Sequence, residues 1–219
     1  RVPYLLRSLD RLITHRAVTA GDESTLGLRS RVVLRNFSGE DYADAQWVLG
    51  YGRRFSSALE HRETRRMPFS EASGVPLTKK FTWETAEQPD DPEQAGKEAG
   101  IPVSYVIRNT EEGGLGQGPL LGGKIRLYQA HENGGNLFLG EDRVSFTPAG
   151  GTLELPAGKS RDLKVTQRRM SSERVNRRTD DAGNLEVYDR LIQDRVIIEN
   201  FRQTQTSLTV IEHIPGEWE

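Results

Sequence analysis

Residues 28–36 read Leu-Arg-Ser-Arg-Val-Val-Leu-Arg-Asn, and the fold class turns on them. Leu28, Val32 and Leu34 fall on one side of an extended chain, and Arg29, Arg31 and Arg35 fall on the other. Side chains of a strand point alternately to its two faces, so this spacing specifies a half-buried strand with a wet, basic face. That face is wet and evenly charged, so Arg29, Arg31 and Arg35 are expected to be poor anchors for a partner.

The same period continues outward. Val103, Tyr105 and Ile107 alternate within 102–109, Ile125 and Leu127 within 124–129, and Leu153 and Leu155 within 152–155. Residues 161–166 alternate as well, and 187–199 set Tyr188, Ile192, Val196 and Ile198 on one face of a long strand. Leu208, Val210 and Ile214 supply another near the C-terminus. Turn clusters separate these runs at 21–25, 111–114, 132–136, 148–151, 156–159 and 180–184. Short strands at this spacing predict an all-β chain, an antiparallel sandwich of immunoglobulin-like type with under about 15% helix. Leu5, Leu6, Leu9, Leu12 and Ile13 fit a 3.6 period and leave room for one short N-terminal helix.

An echo runs through the chain. The words VLRN, VIRN and IIEN end at Asn36, Asn109 and Asn200, and the first and third are followed by apolar segments at 45–50 and 207–215. An Asn at a strand end can bond its own turn and tolerates a left-handed backbone, which suggests strand–turn–strand hairpins. Residues 85–100, TAEQPDDPEQAGKEAG, are acidic and hold two prolines, as a mobile linker would. The expected organisation is therefore a β region over 1–84, a linker over 85–100 and a β-sandwich over 101–219.

Composition bounds the function. The 219 residues hold 30 basic and 32 acidic side chains for a net charge of −2, so the surface as a whole is no nucleic-acid or anionic-membrane footprint. With no cysteine, disulfides, thiolate nucleophiles and cysteine-ligated zinc are excluded. No run approaches the apolar length of a membrane-spanning helix. The chain opens on Arg1 without a signal peptide, which reads as a processed chain or a piece of something longer.

Catalytic motifs are weak. Gly118–Lys124 matches the spacing of a phosphate loop, but Ile125 follows where a hydroxyl is needed, and a strand follows where a helix N-terminus is needed. Gly114, Gly116 and Gly118 fail as a dinucleotide fingerprint for the same reason. His15, His61, His131 and His213 show no metal-ligand spacing, no nucleophile elbow surrounds any serine, and DDAGN at 180–184 lacks the terminal Glu of a calcium loop. No catalytic, cofactor-binding or metal-binding residue is assigned.

Charge is most concentrated over 159–178, where eight cationic residues face Asp162 and Glu173, a local +6. The run from Arg168 to Arg178 has no strand-like apolar spacing and reads as an exposed hairpin or loop. Arg168, Arg169, Arg174, Arg177 and Arg178 are the expected contacts for a protein or acidic polymer. No aromatic residue is interleaved there, so a single-stranded nucleic-acid platform lacks its stacking groups.

The order of segments carries a resemblance. NTEEGGLGQGPLLGGKIRLYQ at 109–129, NLFLGEDRVSFTP at 136–148, RDLKVTQRR at 161–169 and IENFRQTQTSLTVIEHIPGEWE at 198–219 resemble a bacterial domain-of-unknown-function family called mucoidy inhibitor A-like. VVLRNFSGEDYADAQWVLGYG at 32–52 and RRMPFSEASGVPLTKKF at 65–81 also have counterparts, so the likeness covers nearly the whole chain. GQGPLLGG and the 85–100 connection depart from the family pattern. The resemblance implies a β-rich exported protein of the bacterial envelope or periplasm, with further strands after 207–215, and it brings no catalytic residues. The expected function is a non-enzymatic module acting through protein or glycan contacts. The alternatives are a subunit of a larger envelope assembly and a hydrolase whose site assembles from separated loops.

Overall fold

A computed structural model describes residues 7–49, 54–85, 100–179, 185–203 and 205–213, without the side chains of residues 185 and 186. Twelve strands account for nearly all regular structure among them: β1 (Leu9–Thr19), β2 (Thr25–Asn36), β3 (Gln46–Val48), β4 (Arg54–Ser56), β5 (Thr64–Glu84), β6 (Ile101–Arg108), β7 (Gly123–Ala130), β8 (Asn136–Val144), β9 (Thr152–Ser160), β10 (Leu163–Thr179), β11 (Leu185–Asn200) and β12 (Leu208–Ile211). The chain is all-β; the only complete helical turn among the described residues is the 3-10 turn Glu111–Gly113. No helix among them is long and apolar enough to cross a membrane. Leu9, Leu12 and Ile13, which left room for a helix, lie in β1; Leu5 and Leu6 lie outside the described residues. Pairing with β2 along all eleven residues of β1 outweighs their helical spacing.

Two compact units divide the chain, and both are discontinuous: residues 1–79 with 104–158, and residues 80–103 with 159–219. The segments 1–84 and 101–219, expected as successive regions, each contribute to both units, because the boundary falls inside long strands. The linker expected over 85–100 lies almost wholly outside the described residues.

In the first unit the strands run in the order β8-β7-β1-β2-β5-β6-β9. Pairing is not antiparallel throughout, as a pure sandwich would require. β7 lies parallel to β1 from Thr14↔Lys124 to Thr19↔Gln129, since the chain builds β2, β5 and β6 before it returns. Tyr105, Ile107, Leu26, Leu28, Leu153 and Leu155 form the main core, and Ile13, Val32, Leu34, Leu49, Leu59 and Leu121 a second. The alternation quoted above is thus realised, with Leu28, Val32 and Leu34 inside and the three arginines exposed. PAGK at 156–159 is no turn; it lies within β9, where Gly158 takes φ +94°.

The second unit holds the far ends of β5, β6 and β9 together with β10, β11 and β12. Phe81, Trp83, Ile101, Val103, Leu163 and Val165 are its buried apolar residues. β12 pairs with β5 in parallel from Leu208↔Phe81 to Ile211↔Glu84, and β10 with β11 forms a separate two-stranded ribbon.

The Asn words end strands without making the expected hairpins. The apolar segments after Asn36 and Asn200 do become β3 and β12, but these pair with β4 and β5. None of the three asparagines adopts a left-handed backbone.

Candidate functional site

Strand register on the open face of the first unit gathers cations that are far apart in sequence. Arg16 on β1 lies between Arg29 on β2 and Arg126 on β7, and Thr14 lies between Arg31 and Lys124. Val33 is flanked by Leu12 and by Arg66 of β5, and Arg35 follows two residues further along β2. Adjacent strands are about 4.8 Å apart and same-face residues about 6.8 Å apart, so the basic heads form a two-dimensional array. The array lines a groove of about 460 Å³ with Arg16, Arg29, Arg31, Arg35, Arg66, Lys124 and Arg126 on its walls and no carboxylate among its lining residues.

Carboxylates at the margin neutralise part of this charge. Glu71 takes Arg29 at 2.7 Å, and Glu141 binds Lys124 and Arg126, the latter at 2.6 Å. Hydrogen bonds from Lys124 and Arg126 hold the Glu141 carboxyl below its ordinary range, so it stays charged. Arg16 lies over the Tyr128 ring, 4.8 Å from its centre. Arg31, Arg35 and Arg66 are exposed and have no ion-pair partner among the described residues; Asp10 faces Arg35 in the ladder without pairing to it. Fixed cations without counter-charges on a paired sheet suit an extended anion, because the sheet prepays their arrangement.

Arg29, Arg31 and Arg35 were legible as a wet strand face, but the convergence of Arg16, Arg66, Lys124 and Arg126 upon them was not. It depends on the parallel β1–β7 pairing and on β5, whose prolines and glycine mask its strand pattern.

The arginines singled out in the sequence lie in the second unit. Arg168, Arg169, Arg174, Arg177 and Arg178 are all exposed, as expected, on strand β10 of an antiparallel β10–β11 pair, which is the hairpin of the two alternatives and not the loop. β11 supplies the ladder partners that the missing apolar spacing concealed. Arg169 pairs with Asp194 at 3.0 Å, Arg174 covers the Tyr188 ring at 4.7 Å, and Arg177 donates to the Arg174 carbonyl. They form a row along a ribbon.

The glycine-rich connection behaves as the failed phosphate-loop match implies, since β7 and no helix follows Gly118–Lys124. Asn109 organises it. Its amide donates to the carbonyls of Gly118, Thr147 and Pro148, and its Oδ1 accepts from the Gly116 N–H at 2.8 Å.

Among the described residues, His15 and Ser30 form a serine–histidine pair. His15 Nδ1 is 2.8 Å from Ser30 Oγ, and Nε2 is 2.9 Å from the Leu121 carbonyl. The carbonyl can only accept, so Nε2 carries the proton and Nδ1 accepts from the serine. Both residues are buried, at 4% and 1% exposure, so no substrate reaches the hydroxyl. Among the described residues no three His, Asp or Glu side chains gather as metal ligands.

Burial lowers the His15 pKa below its ordinary 6.5. The unfolded chain therefore takes up a proton first as pH falls, and folding stability declines from about pH 6.5 down to the folded value. A stability–pH profile should show this acid-side decline, and His15→Gln should flatten it while losing some stability at pH 7.5. A decline of the same slope in the variant would assign it to carboxylates.

A scan against protein-family models finds no match to the chain, and none is found among curated proteins or solved structures.

Proposed function

We propose that this chain is a non-enzymatic module of the bacterial cell envelope that holds an acidic polymer, an anionic glycan above all, in the basic groove of its first unit. The carrying observation is the groove itself: seven cations on four paired strands, four of them (Arg16, Arg31, Arg35 and Arg66) without a carboxylate partner among the described residues. The envelope setting rests on the resemblance to the mucoidy inhibitor A-like family, whereas the finer reading of the fold as immunoglobulin-like rests on the spacing of strands and turns in the sequence. An anionic glycan fits better than single-stranded nucleic acid because the one aromatic ring lining the groove, Tyr128, is covered by Arg16. The β10 arginines stand as a second contact region, suited to a protein partner.

The test is calorimetric titration with polygalacturonate oligomers, with dextran as the uncharged control. Polygalacturonate should bind and dextran should not. Arg31→Glu combined with Arg66→Glu should weaken binding at least about tenfold, since two attractive contacts become repulsive. Arg174→Glu with Arg177→Glu and Arg178→Glu should leave it unchanged. If the second variant loses affinity and the first does not, the ribbon is the site and the groove reading fails. Tighter binding of DNA than of polygalacturonate would reassign the ligand class.

A further inference from the structure

β11 presents a long free edge. It pairs with β10 alone among the described residues, and a two-stranded ribbon is marginal without a third strand. Val187, Leu191 and Ile197 are 54%, 57% and 49% exposed, more than a monomer ordinarily leaves on one strand.

The two edges of the ribbon differ. β10 carries irregularities at Met170 and between Val175 and Arg178, with Asn176 at φ +50°, and five exposed arginines. Bulges and like charges keep other strands away from an edge. Two of the three register shifts insert a residue on β10; the third, between Arg178 and Thr179, falls on β11 at its very start and leaves Val187–Ile197 regular.

The charges of β11 complement themselves. Residues 189–195 read Asp-Arg-Leu-Ile-Gln-Asp-Arg. If two β11 strands run antiparallel about a two-fold axis at Ile192, Asp189 faces Arg195 of the second copy and Arg190 faces its Asp194. The same register sets Tyr188 against Val196 and Val187 against Ile197. A slip by one residue in either direction brings Asp189 opposite Asp194, or Arg190 opposite Arg195, and a slip by two forms no opposite-charge pair, so the central register is the one the charges favour.

A second observation agrees. Within the ribbon, Arg168 stands directly opposite Arg195, and Arg174 opposite Arg190, and like charges in such positions are unfavourable. No carboxylate is paired with Arg190 or Arg195 among the described residues. The second copy would place Asp189 beside Arg195, and Asp194, which Arg169 of its own chain already holds, beside Arg190 as a shared counter-charge.

We infer that this chain forms a two-fold homodimer by antiparallel pairing of β11 with β11 of a second copy, giving a four-stranded β10-β11-β11-β10 ribbon. The closure is self-complementary, as a two-fold interface must be.

Sedimentation equilibrium of the full chain should give a dimer that weakens with salt. Arg195→Asp should weaken it about tenfold, because two facing pairs per dimer become like-charged. Adding Asp189→Arg restores opposite charges and should restore the dimer. In this cysteine-free chain, Ile192→Cys should oxidise to a cross-linked dimer, whereas Ser172→Cys, opposite Ile192 on β10, should not. A monomer in sedimentation, a dimer untouched by Arg195→Asp, or equal cross-linking at residue 172 would overturn the inference.

Discussion

Asn109→Ala should lower the melting temperature of this protein by roughly 6–12 °C, from a loss of about 3 kcal/mol, and leave its strand content unchanged. Asn109 is fully buried, and its amide serves three carbonyls of the loops that follow β6 and β8. Alanine leaves the Gly118 carbonyl and the Gly116 N–H without their Asn109 partner and opens a gap at a fully buried position, while the Thr147 and Pro148 carbonyls keep the N–H groups of Leu120 and Gly151. Asn200→Ala is the control. Asn200 is exposed, with its Oδ1 accepting from the Arg202 N–H at 2.9 Å, and its loss should move the melt by no more than about 0.5 kcal/mol. Equal shifts in the two variants would refute this account of the loop.

Gly123→Ala should be the second costly change. A Cβ there would stand 2.4 Å from the carbonyl oxygen of Ile13 and 2.8 Å from its carbonyl carbon, both backbone atoms, so β1 and β7 would have to separate. The expected loss is at least about 2 kcal/mol, read from the denaturation midpoint. Polygalacturonate affinity should fall with it, because Lys124 and Arg126 ride on β7 into the groove. Gly118→Ala meets nothing within 4 Å and should be near neutral in both assays. The glycines at the two ends of the apparent phosphate loop therefore do different work: Gly123 lets two strands approach, and Gly118 occupies a loop.

These two sites show what the sequence made legible. Period-two alternation located β2, β6, β7 and the inward faces of Leu28, Tyr105 and Ile125, because burial on one side forces that pattern. The three Asn words look alike in sequence, yet Asn36 and Asn109 are buried staples while Asn200 is at the surface, and burial depends on neighbours that a short word does not specify. Asn36, for instance, holds the carbonyls of Glu40 and Leu59, one of them 23 residues away. β5 escaped detection because Pro68, Gly74 and Pro76 interrupt its pattern; register shifts against β2 and the positive φ of Gly74 absorb them. The basic groove was hidden for a related reason. Its cations come from four strands, and only long-range pairing brings them onto one face.

The central claim is that this groove binds an extended anion through cations the fold leaves without counter-charges. Its most direct measurement is the affinity for polygalacturonate as a function of salt. With three or more contacts to unpaired cations, binding should weaken about tenfold or more between about 50 and 200 mM salt, and Arg31→Glu with Arg66→Glu should flatten that slope. An affinity that does not change with salt, or a slope untouched by the two substitutions, would contradict it.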